Sequence, residues 1–226
     1  LLKKKGGCAI IMGMENTKSC VDCGTMKCST KEGEYPDFCP GRNFTEKEKR
    51  ELISLYGDDE ENRKLSLAAA EVEFENYCRL TRVEETMEFA KKIDAKKLGI
   101  ATCVGMINES RILAKILRAK GFEVMAVVCK TGSIQKKETG FMKTCEEIGD
   151  TMCNPLLQAK LMNEAKTDLN IVMGLCVGHD SLFYKYSKAP VTTLVAKDRV
   201  TGHNPVAPLY NAGSYYKKLL KKGEHK

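Results

Sequence analysis

The chain lacks any apolar run near the roughly 20 residues that a membrane-spanning helix requires; its longest runs are about ten and strand-like in composition. It also lacks the low hydrophobicity that accompanies disorder, since 42% of its residues are hydrophobic and 30% charged, the mix of a globular protein with a core. Collagen, coiled-coil and mucin compositions are absent too. No strand-like segment is followed by a G-x-G-x-x-G or Walker loop, which disfavours a nucleotide-dependent oxidoreductase. There is no G-x-S-x-G elbow and no H-E-x-x-H pair, so neither a serine hydrolase of that type nor a zincin is indicated. Tryptophan is missing altogether, whereas cysteine occurs 11 times.

The excess of positive charge is confined to the ends. Of the formal net charge of +7, Lys3, Lys4 and Lys5 supply three, and the stretch 214–226 supplies five lysines against Glu224. The rest of the chain is neutral, without the basic face that phosphate recognition demands, so nucleic acid is not the expected partner. A membrane is not expected either. Leu1–Met12 reads as an upstream, untranslated leader, because codons for Lys5-Gly6-Gly7 can spell a ribosome-binding site ahead of Met12. No export signal is discernible, which points to a reducing cytoplasm where clustered thiols mean metal or redox chemistry.

At 226 residues the chain is long enough for one ordinary domain with a small appendage. The pattern divides it into a leader (1–16), a cysteine-rich knuckle (17–43), a helical segment packed on the main domain (44–95), an α/β domain (96–210) and a Lys-rich tail (211–226). Thr45 with Glu48, and Thr81 with Glu84, form capping boxes opening helices over 46–56 and up to Lys92. Asp58 or Asp59 caps a long helix through Tyr77. Strands are predicted over 97–104, 122–129, 169–176 and 191–196, alternating with helices over 108–120, 155–165 and 180–186. Continuous apolar strands separated by helices predict a Rossmann-like, doubly wound parallel sheet covered on both faces.

Two sets of cysteines stand where chemistry is expected. Cys20, Cys23, Cys28 and Cys39 fall within twenty residues with little apolar company, which suits a four-thiolate structural zinc or an iron–sulfur cluster. Cys103, Cys129, Cys153 and Cys176 are 26, 24 and 23 residues apart, yet three end predicted strands and one opens a helix. The carboxyl edge of such a sheet is where ligands bind, and helix N-termini there favour thiolates. Four such thiolates would hold an iron–sulfur cluster, of [4Fe-4S] type, or zinc; three would leave a metal position open to substrate. Cys-Val-Gly recurs at 103–105 and 176–178, an internal echo. His179 is placed as a proton donor, with a pKa raised by cluster thiolates, or as a structural residue of the turn. Arg199 is placed as an anion clamp, with a surface salt bridge as the plainer account. Cys78 is expected in the core, Cys145 could substitute for Cys153, and Cys8 lies in the leader. Methionines 87, 125, 142, 152, 162 and 173 read as core or loop filler.

The blocks S-C-V-D-C-G (19–24), Y-P-D-F-C-P (35–40), E-N-R-K-L-S-L-A-A-A-E-V-E (61–73), T-R-V-E-E-T (81–86), M-C-N-P (152–155), G-L-C-V-G-H-D-S-L-F (174–183) and V-T-T-L-V-A-K-D-R-V-T-G-H-N-P (191–205) resemble an uncharacterised cysteine-rich metal-binding protein family of anaerobic bacteria and archaea, a domain of unknown function. The resemblance runs from about Ser19 to Tyr210 and implies metal binding at the positions of the eight cysteines and His179, with no reaction attached. The expectation is a cytoplasmic metalloprotein with thiolate sites, at least one an iron–sulfur cluster. It would act as a redox protein with a redox partner or as an enzyme on a small anionic or sulfur-bearing substrate. The alternative is a zinc-stabilised, non-catalytic small-molecule-binding or sensor module.

Overall fold

The computed structural model of the chain describes residues 18–30, 33–140 and 149–221. The expected leader with Cys8, and Met142, Cys145 and the last five residues, lie outside the described residues. Two compact units divide at Arg63/Lys64.

The first unit carries the knuckle cysteines on short 3-10 turns at Cys20–Asp22 and Lys27–Ser29, followed by helix α1 (Glu46–Gly57). The Thr45 hydroxyl accepts from the Glu48 amide while the Glu48 carboxylate accepts from the Thr45 amide, so the capping box forms as the sequence indicates. No residue of α1 is buried.

The second unit takes in most of α2 (Glu60–Asn76) and then α3 (Arg82–Lys92), β1 (Lys97–Thr102), α4 (Ile107–Ala119), β2 (Glu123–Val128), α5 (Pro155–Glu164), β3 (Leu169–Met173), α6 (His179–Tyr186), β4 (Val191–Val195) and α7 (Ala207–Tyr210). All four strands are parallel, in the order β2-β1-β3-β4. Alternation of side chains splits the core into two layers. Leu98, Ile100, Leu169 and Ile171 pack with Met87 and Ala90 of α3 and with Leu113 and Leu117 of α4. Ala101, Val127 and Val172 face the other way, onto Ala159 and Met162 of α5 and Phe183 of α6. Helices on both faces of a parallel sheet make the predicted doubly wound, Rossmann-like fold. The chain leaves β1 to one side and returns on the other, so the order reverses between β1 and β3, and Cys103 and Cys176 follow those two strands.

Two positions in the strands leave no room for choice. A Cβ on Gly99 of β1 would collide with Asn170 Oδ1 and lie 2.9 Å from Met162 Sδ. Gly174 turns the chain out of β3 with φ +62, where a Cβ would run into the Met106 sulfur. That turn ends β3 at Met173, so Cys176 lies three residues beyond the strand rather than at its last position.

Candidate functional site

Cys103, Cys129 and Cys153 meet at the carboxyl edge, and backbone hydrogen bonds explain how. The β1–β3 ladder runs one residue past β1, with the Cys103 amide donating to the Met173 carbonyl at 3.1 Å. The Cys129 amide donates to Thr102 at 2.8 Å, placing it beside β1. The Asn154 amide donates to the Cys129 carbonyl at 2.7 Å, and its side chain caps α5 by accepting from the Leu157 amide. Cys153 is thereby pinned next to Cys129. Beneath them Gln158, fully buried, donates through Nε2 to the Thr102 and Val127 carbonyls at 3.1 and 2.7 Å, tying β1 to β2 just below the thiols. Its Oε1 is the one buried side-chain polar atom with no partner among the described residues.

The three thiols act on one another. Cys129, the most buried, hydrogen-bonds to both Cys103 and Cys153. Its own pKa is pushed up, first by those two thiol contacts and then by burial. The Cys103 thiol is lowered to about 5, chiefly by the Cys129 contact against the cost of burial, with help from the Gly105 amide and Lys197. Cys153 is lowered to about 5 as well, again chiefly by Cys129, with Lys130 and the charge of His179 adding to it. The three thiols therefore share their protons unevenly, Cys103 and Cys153 being the more acidic and Cys129 the one that holds its proton longest. The Val104 amide also donates to Cys129 Sγ at 3.4 Å.

Cys176 stands apart from this trio. It is half-buried, and its sulfur accepts a hydrogen bond from Arg199 Nη2 at 2.9 Å. Its thiol and the charges of Cys103 and Cys153 raise the Arg199 pKa. Among the described residues no carboxylate pairs with Arg199, and its partner is a sulfur rather than the carboxylate of a surface salt bridge. It is held by a turn in which Asp198 accepts from the Val200 and Thr201 amides and the Asp198 amide donates to His203 Nδ1. The two Cys-Val-Gly segments do form matching turns, because Met106 and His179 each donate an amide to the cysteine carbonyl three residues back, both at 2.9 Å. His179 therefore serves the turn through its backbone, while its charge acts on Cys153.

Lys130 and Lys197 escape the sequence reading. Each follows a strand end, Lys130 directly after Cys129 and Lys197 two residues after β4, and the rule that led to the cysteines would have found them. Cys103 Sγ and Lys197 Nζ both lie 3.9 Å from where a Gly105 Cβ would stand. Positive charge thus stands near the outer sulfurs: Lys197 near Cys103, Lys130, whose ammonium donates to the Thr151 carbonyl, near Cys153, and Arg199 bonded to Cys176.

In the first unit, Cys23 is lowered by its hydrogen bond with the Thr25 hydroxyl and then by the Met26 and Thr25 amides. Cys20 and Cys28 are exposed, and Cys39 is partly so. Cys78 is corrected from the core to the surface: α2 stops at Asn76, and Cys78 turns the chain with φ +57. It lines an apolar groove of about 840 Å³ between α2, α3 and β4. The groove contains none of the clustered thiols, and its Arg82 is committed to the edge of β4, donating to the Thr193 carbonyl and Thr192 hydroxyl. The clustered thiols therefore lie at the sheet's carboxyl edge, away from this groove.

Among the described residues no three His, Cys, Asp or Glu side chains are gathered around one point as a bound metal ion would require. The chemistry of the donor set at the strand edge still suits a thiophilic group, with four cysteine sulfurs and, among the described residues, cations rather than carboxylates beside them. No described helix is long and apolar enough to cross a membrane.

Residues 39–194 match a family described as a protein of unknown function, DUF1847. The chain is also 45% identical over 201 residues to the uncharacterized protein MJ0455 of Methanocaldococcus jannaschii, covering 88% of this chain and 100% of that protein.

Proposed function

Since the chain belongs to the DUF1847 family, we propose that it is a thiolate-ligated metal protein whose working centre is the carboxyl edge of its sheet. The observation that carries this reading is the gathering of Cys103, Cys129 and Cys153 at one strand edge, with Arg199 on the Cys176 sulfur and Lys197 and Lys130 close by. Positive charge beside thiols favours the ionised state in which cysteine ligates metal. An iron–sulfur cluster bound there would supply one-electron chemistry or a Lewis-acidic iron. Cys103, Cys129 and Cys153 would hold it with Cys176, while the Lys and Arg side chains would donate hydrogen bonds to the ligating sulfurs and balance their charge. His179 would stand at the rim, near Cys153. Gln158 and Asn154 keep the three inner sulfurs in place. The substrate is a small anionic or sulfur-bearing molecule, or the centre exchanges electrons with a protein partner, in the reducing cytoplasm.

The knuckle supports a separate, structural ion. The Thr25 and Met26 amides aimed at Cys23 are what a bound thiolate uses, and zinc or iron–sulfur held by Cys20, Cys23, Cys28 and Cys39 would stabilise that unit.

Anaerobic purification with metal analysis and a visible spectrum tests this. Iron, sulfide and a charge-transfer spectrum that vanishes in Cys129→Ala but survives Cys23→Ser are expected. A colourless protein carrying only zinc removes the redox reading, and a metal-free protein removes both sites.

A further inference from the structure

The trio and Cys176 are held differently, and the difference lies in Arg199. Its guanidinium carries five N–H donors, and one nitrogen, Nη2, is engaged, on the Cys176 sulfur. Arg199 is exposed, and no Asp or Glu neutralises it, Lys130 or Lys197 among the described residues. The two acids closest in sequence are turned inward: Asp180 accepts from the Gly178 and Ser181 amides, and Asp198 from the Val200 and Thr201 amides. A cation with N–H groups to spare, beside a half-buried thiol and with no carboxylate partner among the described residues, is placed to receive one from outside.

The type of anion follows from the amides. Arginine's fork can take a carboxylate or a phosphate, but a phosphate, with a third oxygen and a second charge, is commonly bound with a cradle of backbone N–H groups as well. Here the Val104 amide donates to Cys129, the Gly105 amide to Cys103, and the Gly178 amide to Asp180. Recognition is left to the planar fork of Arg199, which matches the two oxygens of a carboxylate. We infer that Arg199 is the carboxylate-binding residue of this centre, and that its contact with Cys176 is a resting position which a small carboxylate ligand replaces, uncovering the Cys176 thiol. This rests on the strand edge being the working site, and it names the ligand class and the residue that selects it. No bond to carbon or sulfur is made or broken; a hydrogen bond to sulfur is exchanged for hydrogen bonds to oxygen.

The test uses the full chain with nitrogen-labelled arginine, following the Arg199 side-chain signal by NMR during titration with acetate and malonate. Chloride and inorganic phosphate at matched ionic strength are the comparison anions. Saturable shifts with the carboxylates and several-fold weaker binding of phosphate are expected. Arg199→Gln should abolish carboxylate binding, and Arg199→Lys, which keeps the charge but not the fork, should weaken it several-fold. Cys176→Ala should tighten it several-fold, because the guanidinium no longer has a thiol to leave; far-ultraviolet circular dichroism checks that each variant folds. No saturation with carboxylates, phosphate binding as tightly, or unchanged affinity in Cys176→Ala overturns the inference. Metal content in the same samples separates it from the wider reading. Carboxylate binding by a protein free of metal upholds the inference and ends the metal assignment, whereas metal-loaded protein indifferent to carboxylates ends the inference alone.

Discussion

Replacing Cys129 with Ala should raise the pKa of two other cysteines at once. Cys103 and Cys153 both stand at about 5 against an ordinary 9.0, and for both the leading cause is the hydrogen bond from Cys129. A hydrogen bond to a charged group contributes about 1.5–3 kcal/mol, and one pKa unit is about 1.36 kcal/mol. Cys129 has one S–H to share between the two thiolates, so losing it should lift each by roughly half a unit to one unit, to about 6. Burial, which works against the thiolates, sets no new cost because the variant is no drier than the parent. The assay is thiolate absorbance in the ultraviolet against pH on metal-stripped protein, with residue-resolved alkylation to assign each step. Lys197→Met should move Cys103 without moving Cys153, and Lys130→Met the reverse, each by less than Cys129→Ala, since the lysines rank below Cys129 among the causes. If both low steps persist unchanged in Cys129→Ala, the shared-proton account of the trio is wrong.

Metal-stripped protein should also show a particular dependence of stability on pH. Cys103 and Cys153 have folded pKa values below the unfolded value of about 8.5, so their contribution is full above that pH and is lost as pH falls through about 5. Cys129 is raised, so its share is present below about 8.5 and declines above it. Denaturation midpoints should climb from pH 5 to a maximum near 8.5 and then fall; a flat profile across that range would contradict the assignment. Gly99→Ala should destabilise by about 1–3 kcal/mol in urea unfolding, the cost of overpacking, because its Cβ meets Asn170 and Met162; an unchanged midpoint would refute the close approach. Gln158→Leu gives up two buried hydrogen bonds and one orphaned oxygen, and should cost about 1–2 kcal/mol while disturbing the alkylation rates of Cys103 and Cys129. Loss of stability with those rates intact would make Gln158 a core residue with no bearing on the thiols.

Periodicity made the sheet legible. Runs such as those ending at Thr102 and Met173 are too apolar for one-sided strands, and the helices between them leave only a parallel, two-faced arrangement. The convergence of Cys103, Cys129 and Cys153 followed from that topology, since two strands end and one helix begins at the same edge. Their division from Cys176 did not follow, because spacings of similar length give no hint that Gly174 bends the chain away from β3 two residues before Cys176. Lys130 and Lys197 looked like any solvated loop lysines; only the folded arrangement sets each against a particular sulfur. Arg199 was seen as a cation with two ordinary uses, and its contact turned out to be a thiol. Gln158 lies in a helix whose amphipathic pattern is weak, and its role depends on carbonyls of two strands distant in sequence. Cys78 was misplaced because an alanine-rich helix ending in Tyr-Cys reads as core packing, whereas the helix stops short and the chain turns there.

The central claim is that the carboxyl edge of the sheet holds an iron-containing group on Cys103, Cys129, Cys153 and Cys176. Crystals grown anaerobically and measured on either side of the iron absorption edge test it most directly. The account predicts anomalous density bounded by those four sulfurs, with Lys130, Lys197 and Arg199 against it. A map with no anomalous density among them, from protein never exposed to oxygen, would contradict it.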